Sequence, residues 1–415
     1  MPIKPPCFFP RRTLLAALTA AAALSQPAQA QTDDSAPFYV GGSLGVSHVS
    51  NIYRQSDATN SDTVVSAGVL GGIDHRFGRQ HLKVDGSLQD NRYRTNSTLN
   101  NQSHSLSAAL DWQTVGDLSG TLSAKSDRSL ADFNIGSGID PIFKKNTESN
   151  DAYDAVARLG LATRYSIEAG WAYRRRDFSA EEYDRFEFHQ NTASLGLYAT
   201  PAGNVRLGLV GRHTKGQYPR YPVGVTIDPQ TLKLVVVSAV NDFTRDDLDF
   251  TTRWSTGGSS TLDTRISRSR TSNSLNALSG FSGTTGAIGW NWQATAKMLL
   301  NLQYSRDTGQ ESQVRAADVN RLYTTWQVGG SYALSGKLSL NASASANRNH
   351  RSGNPGVNVF DTFENNQFYN LGLRWAFSRS FSLGCQYDHA SRDSSVPQYV
   401  YRASSFGCTG QAILY

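Results

Sequence analysis

The stretch that decides the fold is Ser105-Leu106-Ser107-Ala108-Ala109-Leu110-Asp111-Trp112-Gln113, then Thr114-Val115-Gly116-Asp117, then Leu118-Ser119-Gly120-Thr121-Leu122-Ser123-Ala124-Lys125. Leu106, Ala108, Leu110 and Trp112 occupy one parity, and the residues between them are largely polar. Leu118, Gly120, Leu122 and Ala124 then alternate in the same way with Ser119, Thr121, Ser123 and Lys125. A period of two is that of a β-strand with chemically different faces, and the glycine and aspartate between the runs predict a tight hairpin.

The unit recurs along the chain. Val205, Leu207 and Leu209 alternate with Arg206 and Gly208, and Leu248, Phe250, Thr252 and Trp254 alternate with Asp247, Asp249, Thr251 and Arg253. Ile288, Trp290 and Trp292, and later Leu371, Leu373, Trp375 and Phe377, repeat it. Short turns are expected near residues 77–79, 115–117, 164–165, 201–203, 256–258, 294–296, 335–336 and 378–379. Longer polar connections are expected around 48–61, 93–101, 127–150, 179–189, 214–244, 270–281, 308–320, 348–366 and 391–398. Alternating short and long connections with both termini on the short side predict an all-β, transmembrane, antiparallel up-and-down β-barrel of about 18 strands (roughly 16–20). The competing reading is a soluble propeller or sandwich, because short turns recur at a blade-like spacing. Two strands of about ten residues plus a loop in each repeat fit a membrane barrel better than four short strands.

Lys4, Arg11 and Arg12 precede an apolar run from Leu14 to Leu24 that ends in Ala28-Gln29-Ala30, which reads as a signal peptide over residues 1–30 cleaved after Ala30. Its removal lowers the formal charge from +6 to +3, so the basic balance is no argument for a nucleic-acid partner. The remaining 31–415 form one barrel domain. With a mean hydropathy of −0.43 and no mature apolar run of helix-spanning length, this domain can sit in a membrane only as strands. The expected location is the bacterial outer membrane, with outer-membrane lipid around it. Trp112, Trp254, Trp290, Trp292 and Trp375 all fall on the apolar parity just before a short turn, where an interfacial aromatic girdle belongs.

The polar parity should line a water-filled lumen. Its charged candidates are Arg174, Arg176, Arg206, Arg212, Asp247, Asp249, Arg253, Asp263, Arg265 and Arg374. The first four come from neighbouring strands and would form a basic stripe on one wall able to attract carboxylate or phosphate groups. The bland alternative is ordinary cross-strand ion pairing. Cys385 and Cys408 lie symmetrically about the last long connection, so a regular hairpin places them opposite each other, within disulfide reach. A disulfide formed in the oxidising periplasm is expected, with two free thiols as the alternative. Cys408 shares parity with Leu414, so a lipid-facing C-terminal aromatic at Tyr415 implies a bulge or a different face assignment.

The eight histidines show no H-x-x-x-H spacing, and the mature chain has no C-x-x-C. No enzyme activity, metal or cofactor is expected. The run Phe38-Tyr39-Val40 through Ser47-His48-Val49-Ser50-Asn51-Ile52-Tyr53-Arg54 resembles the opening of the EpsL family, outer-membrane barrels associated with exopolysaccharide biosynthesis operons. Tyr387, Ser391-Arg392-Asp393-Ser394-Ser395, Tyr401 and Gln411-Ala412 are similar to that family's last hairpin. The resemblance implies a channel or channel component for exopolysaccharide export, partnered by inner-membrane polysaccharide synthesis machinery. It brings no catalytic residues. A general or solute-selective porin for small hydrophilic solutes needs the same barrel, and so does a structural or adhesive surface protein. Leu232, Leu234, Val235, Val236 and Val237 stand out in the 214–244 connection as an apolar run suited to a plug, a constriction or an extra hairpin.

Overall fold

The computed structural model describes residues 37–415 apart from 58, 136–139, 161–163, 228, 231–233, 276–279, 309–321 and 352–361, so the predicted leader lies outside the described residues. Eighteen antiparallel strands follow one another around a single sheet: β1 (Phe38–Val49), β2 (Asp62–Phe77), β3 (Gln80–Tyr93), β4 (Asn101–Gln113), β5 (Leu118–Leu130) and β6 (Thr147–Leu159). Next come β7 (Tyr165–Phe178), β8 (Phe188–Ala202), β9 (Val205–Ile227), β10 (Leu234–Thr256), β11 (Ser260–Asn273) and β12 (Phe281–Thr295). The last six are β13 (Met298–Thr308), β14 (Leu322–Ala333), β15 (Leu338–Arg351), β16 (Thr362–Trp375), β17 (Phe381–Ser394) and β18 (Tyr401–Leu414). The sheet closes on itself through β1 and β18, from Val40 opposite Leu414 to Val49 opposite Ser405. Closure removes both sheet edges and satisfies the backbone of every strand within the wall, the condition for crossing lipid without helices.

The wall is inside out compared with a soluble protein. Leu44 (69 % exposed), Ile266 (60 %), Leu248 (55 %) and Trp375 (50 %) point outward, while Asp249, Ser267, Ser305 and Asp307 are buried on the opposite parity. So much exposed apolar surface is untenable in water and natural against hydrocarbon. A closed barrel with this polarity is a bacterial outer-membrane protein.

Seven of the eight short turns lie wholly among the described residues and fall where the alternation breaks, and the expected turn at 164–165 lies between the end of β6 at Leu159 and the start of β7 at Tyr165. Phe77 pairs directly with Gln80, leaving Gly78-Arg79 as a two-residue loop. Gly78 has φ +61°, as required of the first central residue of a type II′ hairpin turn, where any side chain would be strained. Of the five girdle tryptophans, Trp254, Trp290, Trp292 and Trp375 are exposed outward near this end, and Trp112 packs its ring over Gly120 of the next strand. Trp171 and Trp326 are also outward but sit further up their strands.

One long connection does not exist as expected. Residues 214–227 and 234–244 continue β9 and β10, each 23 residues long, and the pairing runs to Ile227 opposite Leu234. The other sixteen strands have 11 to 16 residues, so this hairpin projects beyond its neighbours by roughly 25–30 Å of strand length. Leu234 to Val237 thus belong to an extra hairpin, one of the three expected forms, and Leu232 lies outside the described residues. Val236 and Val237 are exposed on the extension.

Candidate functional site

The lumen wall is built by the polar parity of the strands, and its charges face one another across the ladder. Glu168 on β7 is shared by two arginines: Arg158 Nε on β6 donates to it at 3.0 Å, and Arg206 Nη2 on β9 at 2.6 Å. The Arg206 guanidinium also lies 3.9 Å from the centre of the Tyr198 ring, which suits a stacked cation. Arg174 pairs with Asp154 on β6 at 2.8 Å. Arg212 donates to Asp249 at 2.7 Å and lies 3.5 Å from Asp247. Three of the four stripe residues therefore carry a carboxylate. The fourth, Arg176, donates Nε and Nη2 to the Phe186 carbonyl at 3.1 and 3.0 Å between the rings of Phe178 and Phe188.

Further along the same wall Arg265 pairs with Asp307 at 2.7 Å, and Arg253 lies 3.7 Å from Asp263. Arg374 sits on the inward parity between Ser339 and Gly384, with no carboxylate at ion-pair distance among the described residues. Two members of this network escape a reading by spacing. Arg245, only 1 % exposed, pairs with Asp247 at 2.8 Å and donates to Ser269 and Thr308. Asp307 belongs to β13 but lies beside a residue range that reads as loop. The signal for Arg245 was present: Phe243, Arg245, Asp247 and Asp249 keep one parity without interruption.

The extracellular mouth is partly covered. Ile52 and Tyr53 from the β1–β2 loop, Leu99 from the β3–β4 loop, Phe133 and Ile142 from the β5–β6 loop, and Ala180, Tyr183 and Phe186 from the β7–β8 loop form one buried apolar cluster. The β5–β6 loop also passes the ends of β4, β3, β2 and β1 to reach the last hairpin. Arg392 Nη1 on β17 donates to the carbonyl and to Oδ1 of Asn134 at 3.0 and 3.1 Å. Asn134 Nδ2 donates to the carbonyls of Arg54 and Gln398 at 2.9 and 3.3 Å. Arg54 donates to the Tyr401 hydroxyl at 2.9 Å and pairs with Asp132 at 3.0 Å.

Arg54 adopts φ 54°, unusual for a side-chain-bearing residue, and these partners hold it there. Burial by itself would lower the Arg54 guanidinium, but Asp132 and Tyr401 outweigh it and hold the group above its ordinary value. Burial pushes the Tyr183 phenol up, keeping it a neutral donor to the Asp132 carbonyl at 2.8 Å. At the rim Lys144 meets Glu182 at 2.9 Å.

Cys385 and Cys408 are directly opposed in an unbroken register and joined as a disulfide, with Cα atoms 4.0 Å apart. No bulge intervenes. The row Leu373, Cys385, Cys408, Val46 shows that both sulfurs lie on the lipid-facing parity, together with Leu414. Among the described residues no cluster of His, Cys, Asp or Glu could hold a metal ion. Gly41-Gly42-Ser43-Leu44-Gly45 matches the G-x-S-x-G pattern, but it lies inside β1, paired on both sides. It lacks the strand-to-helix turn that would expose a nucleophile.

No family model matches the chain, and no curated protein matches it. Among solved structures, the outer membrane protein OpdK of Pseudomonas aeruginosa aligns over 91 % of this chain and 99 % of its own at 10 % identity, with a TM-score of 0.46. The ferric enterobactin receptor PfeA of the same organism covers 92 % and 81 % at 9 % identity and 0.42. OmpT of Vibrio cholerae covers 92 % and 99 % at 12 % identity and 0.34.

Proposed function

We propose that this barrel is a passive outer-membrane channel for small hydrophilic solutes, selecting little by charge. The observation that carries the reading is charge compensation in the lumen: Arg158 and Arg206 share Glu168, and Arg174, Arg212, Arg245 and Arg265 each meet an acid within 3 Å. A wall of closed pairs exerts little field along the channel axis, whereas unpaired charge of one sign would concentrate counter-ions. An 18-stranded wall encloses a lumen too wide for its own side chains to fill, leaving the mouth loops to set the size limit. Swelling of liposomes containing the protein in neutral sugars of increasing size tests this. Fast swelling with small sugars that falls off with size is expected, and no swelling with any sugar would refute it.

Passage of exopolysaccharide is the second reading. Its support is that the two segments carrying the EpsL resemblance converge on one latch: Asn51 Nδ2 donates to the Arg402 carbonyl at 3.0 Å, and Arg54 meets Tyr401. Loss of the gene should then abolish surface polysaccharide while lipid-linked repeat units persist inside the cell. Unchanged surface polysaccharide would reject this reading and leave the solute channel standing.

A further inference from the structure

Arginines on the β10–β15 wall divide by face. Inward, Arg245 and Arg265 are closed by Asp247 and Asp307. Outward, Arg268 and Arg270 on β11, Arg306 on β13 and Arg348 on β15 are all exposed, and none makes an ion pair among the described residues. Asp246, which faces Arg270 across the ladder, lies instead 2.6 Å from His213. Two other exterior arginines are paired: Arg92 with Asp90 and Arg175 with Asp177, each at 2.6 Å.

The four outward arginines form a patch rather than a scatter. Arg306 and Arg348 share one row, separated only by Thr324, and Arg268, opposite Thr284, lies two residues above Ile266, which pairs with the same row's Gly286. Strands two apart place such residues roughly 10 Å from each other. The intervening Thr284, Gly286 and Thr324 are too small to fill the gaps. Directly below lie apolar outward rows: Ile266 beneath Arg268, and Leu300, Leu302 and Tyr304 beneath Arg306. From Met298 to Arg306 is roughly 27 Å of strand, or about 20 Å of depth at the tilt of such barrels, close to the height of an outer-membrane apolar band.

We propose that this patch binds the phosphate groups of an outer-leaflet lipid headgroup, with the acyl chains lying on the apolar rows beneath. Guanidinium groups match phosphate oxygens bidentately, and a headgroup with two phosphates can engage arginines on two alternate strands at once. Continuity with the apolar band assigns the counter-ion to a lipid. With no acid partner among the described residues, each guanidinium presents its donors to it.

The test is native mass spectrometry of the folded, detergent-solubilised barrel with purified diphosphorylated lipid A, the same lipid dephosphorylated, and inorganic phosphate. The variant carries Arg268→Gln, Arg270→Gln, Arg306→Gln and Arg348→Gln, and the control carries Arg92→Gln and Arg175→Gln. Wild type and control should retain diphosphorylated lipid at concentrations about tenfold lower than the variant does, and dephosphorylated lipid should bind all three weakly. Equal retention by variant and wild type would overturn the proposal. So would equal binding of dephosphorylated lipid, or displacement of the lipid by an equal concentration of inorganic phosphate, which would mark a site for free anions. Gel mobility of unheated samples establishes folding. If the fourfold variant does not fold, Arg306→Gln with Arg348→Gln is read against the same criteria.

Discussion

Over β1–β8 the extracellular end carries loops that bury Leu99, Phe133 and Tyr183 in an apolar cluster and reach across to β17 and β18. Over β9 and β10 two strands simply continue, held by their own ladder, by a smaller patch of Tyr218 and Phe243 with Phe188 and Tyr221 against it, and by Arg220, which pairs with Asp184 and Glu187 of the β7–β8 loop at 2.8 and 2.6 Å. The first half is a cap whose shape depends on contacts between loops far apart in the chain. The second is a blade whose shape is already contained in two adjacent segments. Covering a mouth takes tertiary packing, whereas projecting from one takes only pairing, so beyond the Arg220 pairs the two halves should fail independently.

The largest effect should come at the base of the blade. Asp247→Ala strands Arg245, which is 1 % exposed, while Arg212 keeps Asp249, and should cost about 3–5 kcal/mol in denaturant unfolding, with the cap unaffected. Leu99→Ala, at 0 % exposure the most deeply buried aliphatic of the cap, should cost about 2–4 kcal/mol in loop stability. It should be read as faster proteolysis of residues 131–146 and higher conductance, with the melting of the barrel little changed. Equal loss of barrel stability would show that the two halves are one cooperative unit.

Trimming the blade should do less. Replacing residues 222–238 by Asn-Gly, so that the paired Tyr221 and Ala239 flank a tight turn and Arg220 keeps Asp184 and Glu187, should leave barrel stability within about 1 kcal/mol and conductance unchanged. A changed conductance would place the blade over the pore. The smallest effect concerns acid. Burial by itself would raise the Glu182 carboxyl, but Lys144 outweighs it and holds the group below its ordinary value. The folded cap therefore prefers the ionised form, and the contribution is full above the ordinary glutamate range and fades as pH falls through the lowered value. Proteolysis of the β5–β6 loop should accelerate modestly over that window, and Glu182→Gln should flatten the dependence.

Strands, turns and faces were legible because a period of two is written locally. Trp254 and Trp375 announce an outward face, and Gly78 announces a turn. The blade was misread as a loop for a physical reason: Pro219, Pro222 and Gly224 look like breakers. They are tolerated because the ladder is irregular there, skipping from Ala239 opposite Tyr221 to Asn241 opposite Tyr218. Proline, lacking a donor, belongs at such bulges. Parity also put Arg174, Arg206 and Arg212 on the inner wall, but it could not show that Asp154, Glu168 and Asp249 meet them, since that depends on register between strands. The latch of Arg54, Asp132, Asn134 and Arg392 was out of reach for the same reason, because its members are joined only across the mouth.

The compensated lumen is tested most directly by the reversal potential of single channels in a potassium chloride gradient, for the native protein and for Glu168→Gln. Near-zero reversal is expected for the native channel, because six of its inward arginines are closed by acids within 3 Å, and a shift toward anion selectivity for the variant, which removes the acid shared by Arg158 and Arg206. A native channel already strongly selective for anions, or a variant indistinguishable from it, would contradict the account.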